Sequence, residues 1–166
     1  MKKTTILILS LILPLWGVAQ DSLDELLDTY NDESIPYISV KELIDNIDKV
    51  ILLDAREKEE FQVSHLKNAI YIGYNNFSTK LLRKQKLPTD TPIVVYCSLG
   101  IRSEDIAKNL KKEGYQNVRN LYGGIFEWRN KDQPIVDSDE KLTDKIHAFS
   151  KEWGKWLHKG TKIYTQ

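Results

Sequence analysis

The chain has 166 residues, 41% of them hydrophobic and 29% charged, a balance that supports one real core and leaves no room for a second catalytic domain. Its 24 Lys and Arg equal its 24 Asp and Glu, and no basic block follows the start, so composition excludes the electrostatic footprint of a nucleic-acid or anionic-membrane binder. A small substrate is expected.

Met1-Lys2-Lys3 is basic, Ile6 to Trp16 is apolar apart from Ser10 and Pro14, and Gly17-Val18-Ala19 has the small residues of a cleavage site. Residues 1–19 read as a signal peptide cut near Ala19-Gln20, which sends the chain to a periplasm or the outside. A spanning helix needs about 20 apolar residues, and no cysteine follows to accept a lipid, so no stable membrane insertion is expected after cleavage. An uncleaved anchor is the competing reading. Loss of Lys2 and Lys3 from the 24 basic residues leaves 22 against 24 acidic ones.

Residues 20–34 form an acidic helical extension with Leu23, Leu26 and Leu27 at helical spacing and an Asn31-Asp32 turn; it packs on the domain or frays. Residues 35–133 alternate strands with helices. Ile35 to Ser39 is an edge strand containing Pro36. Ser39 or Val40 opens a helix with Val40, Leu43, Ile44 and Ile47 on one face, and Val50 to Leu53 is a continuous apolar run, as in a central parallel strand. Ala69 to Ile72 is strand-like, Asn75 to Lys86 reads as an amphipathic helix through Phe77, Leu81 and Leu82, and Ile93 to Tyr96 is a short buried strand after Pro92. Ile106, Ala107 and Leu110 give the next helix its buried stripe up to Gly114, Asn117 to Leu121 is another strand, and Ile125 to Arg129 a short helix whose Trp128 reads as core. The alternation predicts an α/β three-layer domain with a mainly parallel, roughly five-stranded sheet. In residues 134–166, a C-terminal extension, Leu142, Ile146, Phe149, Trp153, Trp156 and Leu157 fall three or four apart and predict an amphipathic helix. We read it as a strap over the domain, with a partner-binding or membrane-surface helix the competing reading.

Cys97 is the only cysteine, so no intramolecular disulfide can form. It stands where the strand 93–96 stops and Ser98-Leu99-Gly100-Ile101-Arg102-Ser103 turns into a helix, for which Ser103 is the N-cap candidate, followed by Glu104 and Asp105. Loop amides, the positive end of the helix dipole and Arg102 all favour a thiolate there, which is a nucleophile. An inert core cysteine is the competing reading. Asp54 and Arg56 follow the strand 50–53, where ligands of open α/β sheets gather. His65, His147 and His158 are far apart with no thiolate at ligand spacing, so no metal site is expected.

Cys97-x-x-Gly100-x-Arg102-Ser103 after a short hydrophobic strand resembles the active-site loop of single-domain rhodanese-like sulfurtransferases, of the secreted or periplasmic kind if the leader is cut. Leu52-Leu53-Asp54-Ala55-Arg56 with Glu60-Phe61 and His65-Leu66-Lys67-Asn68-Ala69 resembles the family's upstream signature, with Ser64 where the family usually has Gly. Leu121-Tyr122-Gly123-Gly124-Ile125-Phe126-Glu127-Trp128 resembles its downstream motif, and the likeness covers about residues 36 to 131. The resemblance implies that Cys97 takes sulfane sulfur from a thiosulfate-type donor as a persulfide and passes it to cyanide or a thiol, with no cofactor. Ser98, Leu99, Gly100, Ile101 and Ser103 would cradle the sulfur through their amides and Arg102 would bind the donor's oxyanion end. Asp54, Arg56 and Glu60 are read as supporting residues, with direct substrate contact the competing reading, and His65 as structural. Two rivals remain: a sulfur carrier or binding module without turnover, and a small-anion phosphatase or arsenate reductase. The latter usually has Cys-x5-Arg, whereas Cys97 to Arg102 is Cys-x4-Arg, a smaller cradle.

Overall fold

The computed structural model describes residues 22–164; the signal peptide predicted at 1–19 lies outside them. The main sheet is parallel throughout, in the order β1 (Tyr37–Ile38), β5 (Val118–Leu121), β4 (Ile93–Tyr96), β2 (Ile51–Asp54), β3 (Ile70–Tyr71). This is the α/β fold expected, with five strands and β1 at one edge.

Strand periodicity of two sorts the core into layers. Leu52, Val94 and Tyr96 point into one apolar cluster with Leu43, Ile125, Phe126 and Trp128, while Leu53, Ile93 and Val95 point into a second with Leu82, Ile106, Ala107 and Leu110. Helices α2 (Val40–Asn46) and α6 (Gly124–Asn130) thus cover one face, and α4 (Lys80–Lys84) and α5 (Arg102–Lys112) the other. All four β4 residues are buried, which is why that segment reads as an unbroken apolar run.

From the adjacent strands β2 and β4 the chain departs toward opposite edges, to β3 beyond β2 and to β5 beyond β4. Such a switch point opens a crevice at the carboxyl ends of the two strands. Helix α3 (Lys58–Val63) follows β2 and α5 follows β4, so both contribute side chains to that crevice.

Ser39 caps α2 in a reciprocal box with Glu42. Of the apolar face predicted for α2, Val40 and Leu43 are buried and Ile44 is exposed, because the helix ends at Asn46 and a 3-10 turn over Ile47–Lys49 redirects the chain. The helix expected over 75–86 shortens to α4: Leu82 is buried, Leu81 exposed, and Lys86 adopts φ 51, ending the helix before Pro88. From Ser22 on, the extension packs rather than frays. Its helix α1 (Leu23–Tyr30) is boxed by Ser22 and Glu25 and buries Leu27.

Among the described residues of 134–166, the predicted amphipathic helix is absent. The segment forms β6 (Ile135–Val136) antiparallel to β7 (Leu142–Thr143), then β8 (Lys145–His147) parallel to β9 (Thr161–Ile163), with only the one-turn α7 (Lys151–Gly154) between β8 and β9. Phe149 in the left-handed region, φ 63, breaks any continuous helix, and Ser150 caps a new one by accepting the Trp153 amide. The strap role itself is present: Ile146, Ala148 and Leu157 join the larger core cluster. Leu157 is 1% exposed, so Leu157→Ala should lower the stability of the whole domain by about 2–4 kcal/mol in a single cooperative denaturant transition. A variant with unchanged global stability would show that the extension melts on its own.

Candidate active site

Cys97 is the first residue after β4, and the loop behind it is fixed by main-chain contacts from α6. The amides of Ile125 and Phe126 donate to the carbonyls of Cys97 and Ser98 at 2.9 and 3.1 Å. That approach requires glycine at 124, where φ is +55 and a Cβ would lie 2.3 Å from the Cys97 carbonyl oxygen. The Gly123-Gly124 pair noticed in the sequence is therefore the seat of the cysteine loop.

The sulfur is 2% exposed as part of its residue and accepts the Gly100 N–H at 3.1 Å. Gly100 itself is held through its carbonyl, which accepts from Asn120 Nδ2 at 2.7 Å and Asn31 Nδ2 at 3.0 Å. Ser103 Oγ lies 2.7 Å from Asn120 Oδ1 and 3.4 Å from the sulfur. A hydroxyl has one proton, and the Gly100 carbonyl fixes the Asn120 amide so that its oxygen needs a donor; the proton therefore belongs to Asn120. Ser103 is not the N-cap expected: α5 starts at Arg102 with Ile101 before it, and the buried Ser103 hydroxyl is spent inside the loop.

Arg102 turns to Glu60 of α3 in a bidentate pair, Nη1 to Oε2 at 2.7 Å and Nη2 to Oε1 at 2.8 Å. Ser98 Oγ donates to Glu60 Oε1 and accepts from Arg102 Nη2, both at 3.1 Å. Burial pushes the Glu60 carboxyl up, but the Arg102 guanidinium bonded to it, with Arg56 behind, outweighs this and holds it at about 2. Burial pulls Arg102 down and Glu60 more than restores it, so both stay charged.

Asp54 and Arg56 form a second, fully buried pair below the first. Asp54 accepts the Arg56 amide, Nε and Nη2, the last at 2.7 Å, and Nη2 also donates to the Ser64 carbonyl at 2.6 Å. Burial pulls Arg56 down and the Asp54 charge overrides it. Ser64, standing for the family's glycine, has φ −170, an extended conformation open to any residue. His65 stacks on Phe61 at 3.9 Å between ring centroids, with Nδ1 on the Phe61 carbonyl and Nε2 3.2 Å from Glu140, the structural placement read from sequence.

Beside the sulfur is a cavity of about 200 Å³ walled by Leu99, Ile101, Arg102, Phe149 and Trp153. Leu99 and Ile101 thus give the site side chains, and of the loop amides it is Gly100 N–H that bonds the sulfur. The Phe149 ring stands over the Arg102 guanidinium at 5.0 Å, and its amide donates to His147 Nδ1 at 3.2 Å. Burial pushes His147 down, which favours the neutral ring that can accept this bond. Trp153 meets Tyr30 of α1 edge-on at 5.8 Å. Sequence reasoning missed Asn120, whose signal was a polar residue inside a buried strand, and assigned Phe149 and Trp153 to a helix face rather than to this wall.

The profile of the rhodanese-like domain matches residues 39–131. The chain is 36% identical over 105 residues to the adenylyltransferase and sulfurtransferase UBA4 of Candida albicans, an alignment covering 60% of this chain but only 23% of that protein. It is 26% identical over 97 residues to the thiosulfate sulfurtransferase GlpE of Coxiella burnetii, covering 58% of this chain and 87% of GlpE. Among solved structures, a rhodanese-related protein from Thermoplasma volcanium superposes with a TM-score of 0.52 at 28% identity, over 61% of this chain and 97% of that one.

Two variants test the scaffold. Gly124→Ala should cost about 3 kcal/mol, from a strained left-handed backbone and a clash with backbone atoms, as read by urea unfolding. Glu60→Gln leaves Arg102 buried without its counter-charge and should cost about 3 kcal/mol at pH 7. Folding lowers the Glu60 pKa from 4.5 to about 2, so the ionised carboxylate adds stability that is complete above 4.5 and lost as pH falls toward 2. The gap between the two proteins should close across that window; a gap constant from pH 7 to pH 2 would mean that the charge of Glu60 contributes nothing.

Proposed function

The chain belongs to the rhodanese-like domain family, and from that premise we propose that it is a sulfurtransferase acting through a persulfide on Cys97. The observation that carries the reading is the Cys97 sulfur at the end of β4, open to a small cavity and accepting the Gly100 amide at 3.1 Å. The thiolate attacks the outer sulfur of a thiosulfate-type donor. The donor's S–S bond breaks, its electron pair leaves with sulfite, and Cys97 keeps the outer sulfur as a persulfide. Cyanide or a thiol then attacks that sulfur and returns the thiolate, so the cycle closes without a cofactor. Gly100 steadies the charge on Cys97, and the bond of Arg102 to Glu60 keeps the loop that presents it in place.

The six-residue span from Cys97 to Arg102, one residue shorter than the Cys-x5-Arg loop of the phosphatase reading, favours a cradle for the single sulfur left on Cys97 over one that surrounds a bound phosphate. Thiosulfate should add one sulfur, about 32 Da, to the intact protein, cyanide should remove it, and Cys97→Ser should abolish both steps. Serine lacks both the soft nucleophile and the good leaving group that the two half-reactions need. Aryl-phosphate hydrolysis that disappears in Cys97→Ser, with no sulfur adduct, would replace this reading with a phosphatase.

We further propose that the protein works outside the cytoplasm, on the strength of the Lys2-Lys3 start, the apolar 6–16 stretch and the small residues before Gln20. N-terminal sequencing of protein from its native host should find a mature start near Gln20 in the exported fraction. Intact Met1 in a membrane pellet would sink soluble export.

A further inference from the structure

The wall of the cavity opposite Cys97 comes from outside the matched domain, and it is aromatic. Phe149 is 49% exposed although its backbone sits at φ 63, a conformation unfavourable for a bulky residue. The fold therefore holds a strained residue in order to keep an apolar ring partly in solvent; such outliers point toward function. The ring is held by two contacts, its amide on His147 Nδ1 and the Arg102 guanidinium against it. Trp153 is fixed by Tyr30 and by the Ser150 cap. Both rings are in position before anything binds.

The charge on the same cavity is spent. Arg102 is the one cation among the lining residues, and both its Nη groups engage Glu60, so the pair presents no net charge to a guest. A small dianion entering here loses water without gaining an unpaired cation. A guest with an apolar group meets Leu99, Ile101, Phe149 and Trp153 instead. Apolar cavities of about 150 Å³ bind benzene, and this one, at about 200 Å³, takes a ring of that size together with the sulfur to be transferred.

We propose that Phe149 and Trp153 are specificity-determining residues that select organic sulfane donors carrying an apolar group of about benzene size over small ionic donors such as thiosulfate. The inference rests on the sulfur-transfer reading. With an arylthiosulfonate, the Cys97 thiolate forms a bond to the outer sulfur while the donor's S–S bond breaks. The electron pair departs with the arylsulfinate, and no proton or external electron is needed.

The test compares benzenethiosulfonate with methanethiosulfonate and thiosulfate on the purified protein, reading the rate of sulfur addition to Cys97 by intact mass. The two thiosulfonates differ in intrinsic reactivity, so the readout is how their rate ratio changes on mutation. The benzene-to-methane ratio should fall about five- to tenfold in both Phe149→Ala and Trp153→Ala, the size expected for one lost aromatic contact and its buried area, and recover in Phe149→Tyr. The exposure of Phe149 makes its removal harmless to the core, and Trp153→Ala gives a second, independent reading. A ratio that stays within about twofold of the unmodified protein in both alanine variants, with sulfur still added, overturns this inference alone. Failure of every donor to add sulfur to the unmodified protein overturns the sulfur-transfer reading, and the inference with it.

Discussion

Glu60 keeps a full negative charge where only 2% of the residue meets water, because four donors converge on its two oxygens: the Glu57 amide, the Ser98 hydroxyl and both Nη groups of Arg102. Those donors come from the start of α3, from the cysteine loop and from the first residue of α5. One carboxylate thus ties the segment after β2 to the segment after β4, across the crevice that the strand order opens. Arg102 is 17% exposed in its side chain, so the pair is shielded but not sealed. Its value is positional: a buried pair of this kind contributes little net stability compared with apolar packing, yet removing either partner leaves a charge that nothing else neutralises.

Much of this was legible in the sequence, where local chemistry and global fold agree. The apolar runs at 50–53 and 93–96 became β2 and β4, the Gly123-Gly124 pair became the close approach of α6 to the cysteine loop, and His65 took a hydrogen-bonded structural place, as read. What failed was a period. Leu142, Ile146, Phe149 and Trp153 repeat at helical spacing by coincidence, and the pattern hid a β-branched Thr143, a left-handed Phe149 and the capping Ser150, each of which divides the segment. Contacts distant in sequence were out of reach for another reason. Nothing local to Arg102 says that it will face Glu60 rather than a ligand, and nothing local to Asn120 says that it will hold Gly100 and Ser103 together.

Both flanking segments act on the loop from above. Asn31 reaches Gly100, the Asp32 amide donates to Glu104 at 3.0 Å, and Lys108 closes the same corner on Asp32 and Glu104. From the other end of the chain, β8 supplies His147 and leads into Phe149, and Trp153 meets Tyr30. The two extensions therefore touch each other beside the thiol, and the geometry around Cys97 is owed to residues outside the matched domain as much as to the motif.

The pairing of β8 with β9 has a temporal side. A chain leaves the ribosome amino end first, and the register Lys145 to Thr161, Ile146 to Lys162 and His147 to Ile163 cannot form until the last of these residues has emerged. At about 5–20 residues per second, Cys97 is out for several seconds before the strand that steadies its aromatic wall exists. During that interval the β4 strand and its thiol lack their native cover. Newly made chains thus expose the thiol more fully than the finished fold, in which the residue is buried and its sulfur opens on the cavity.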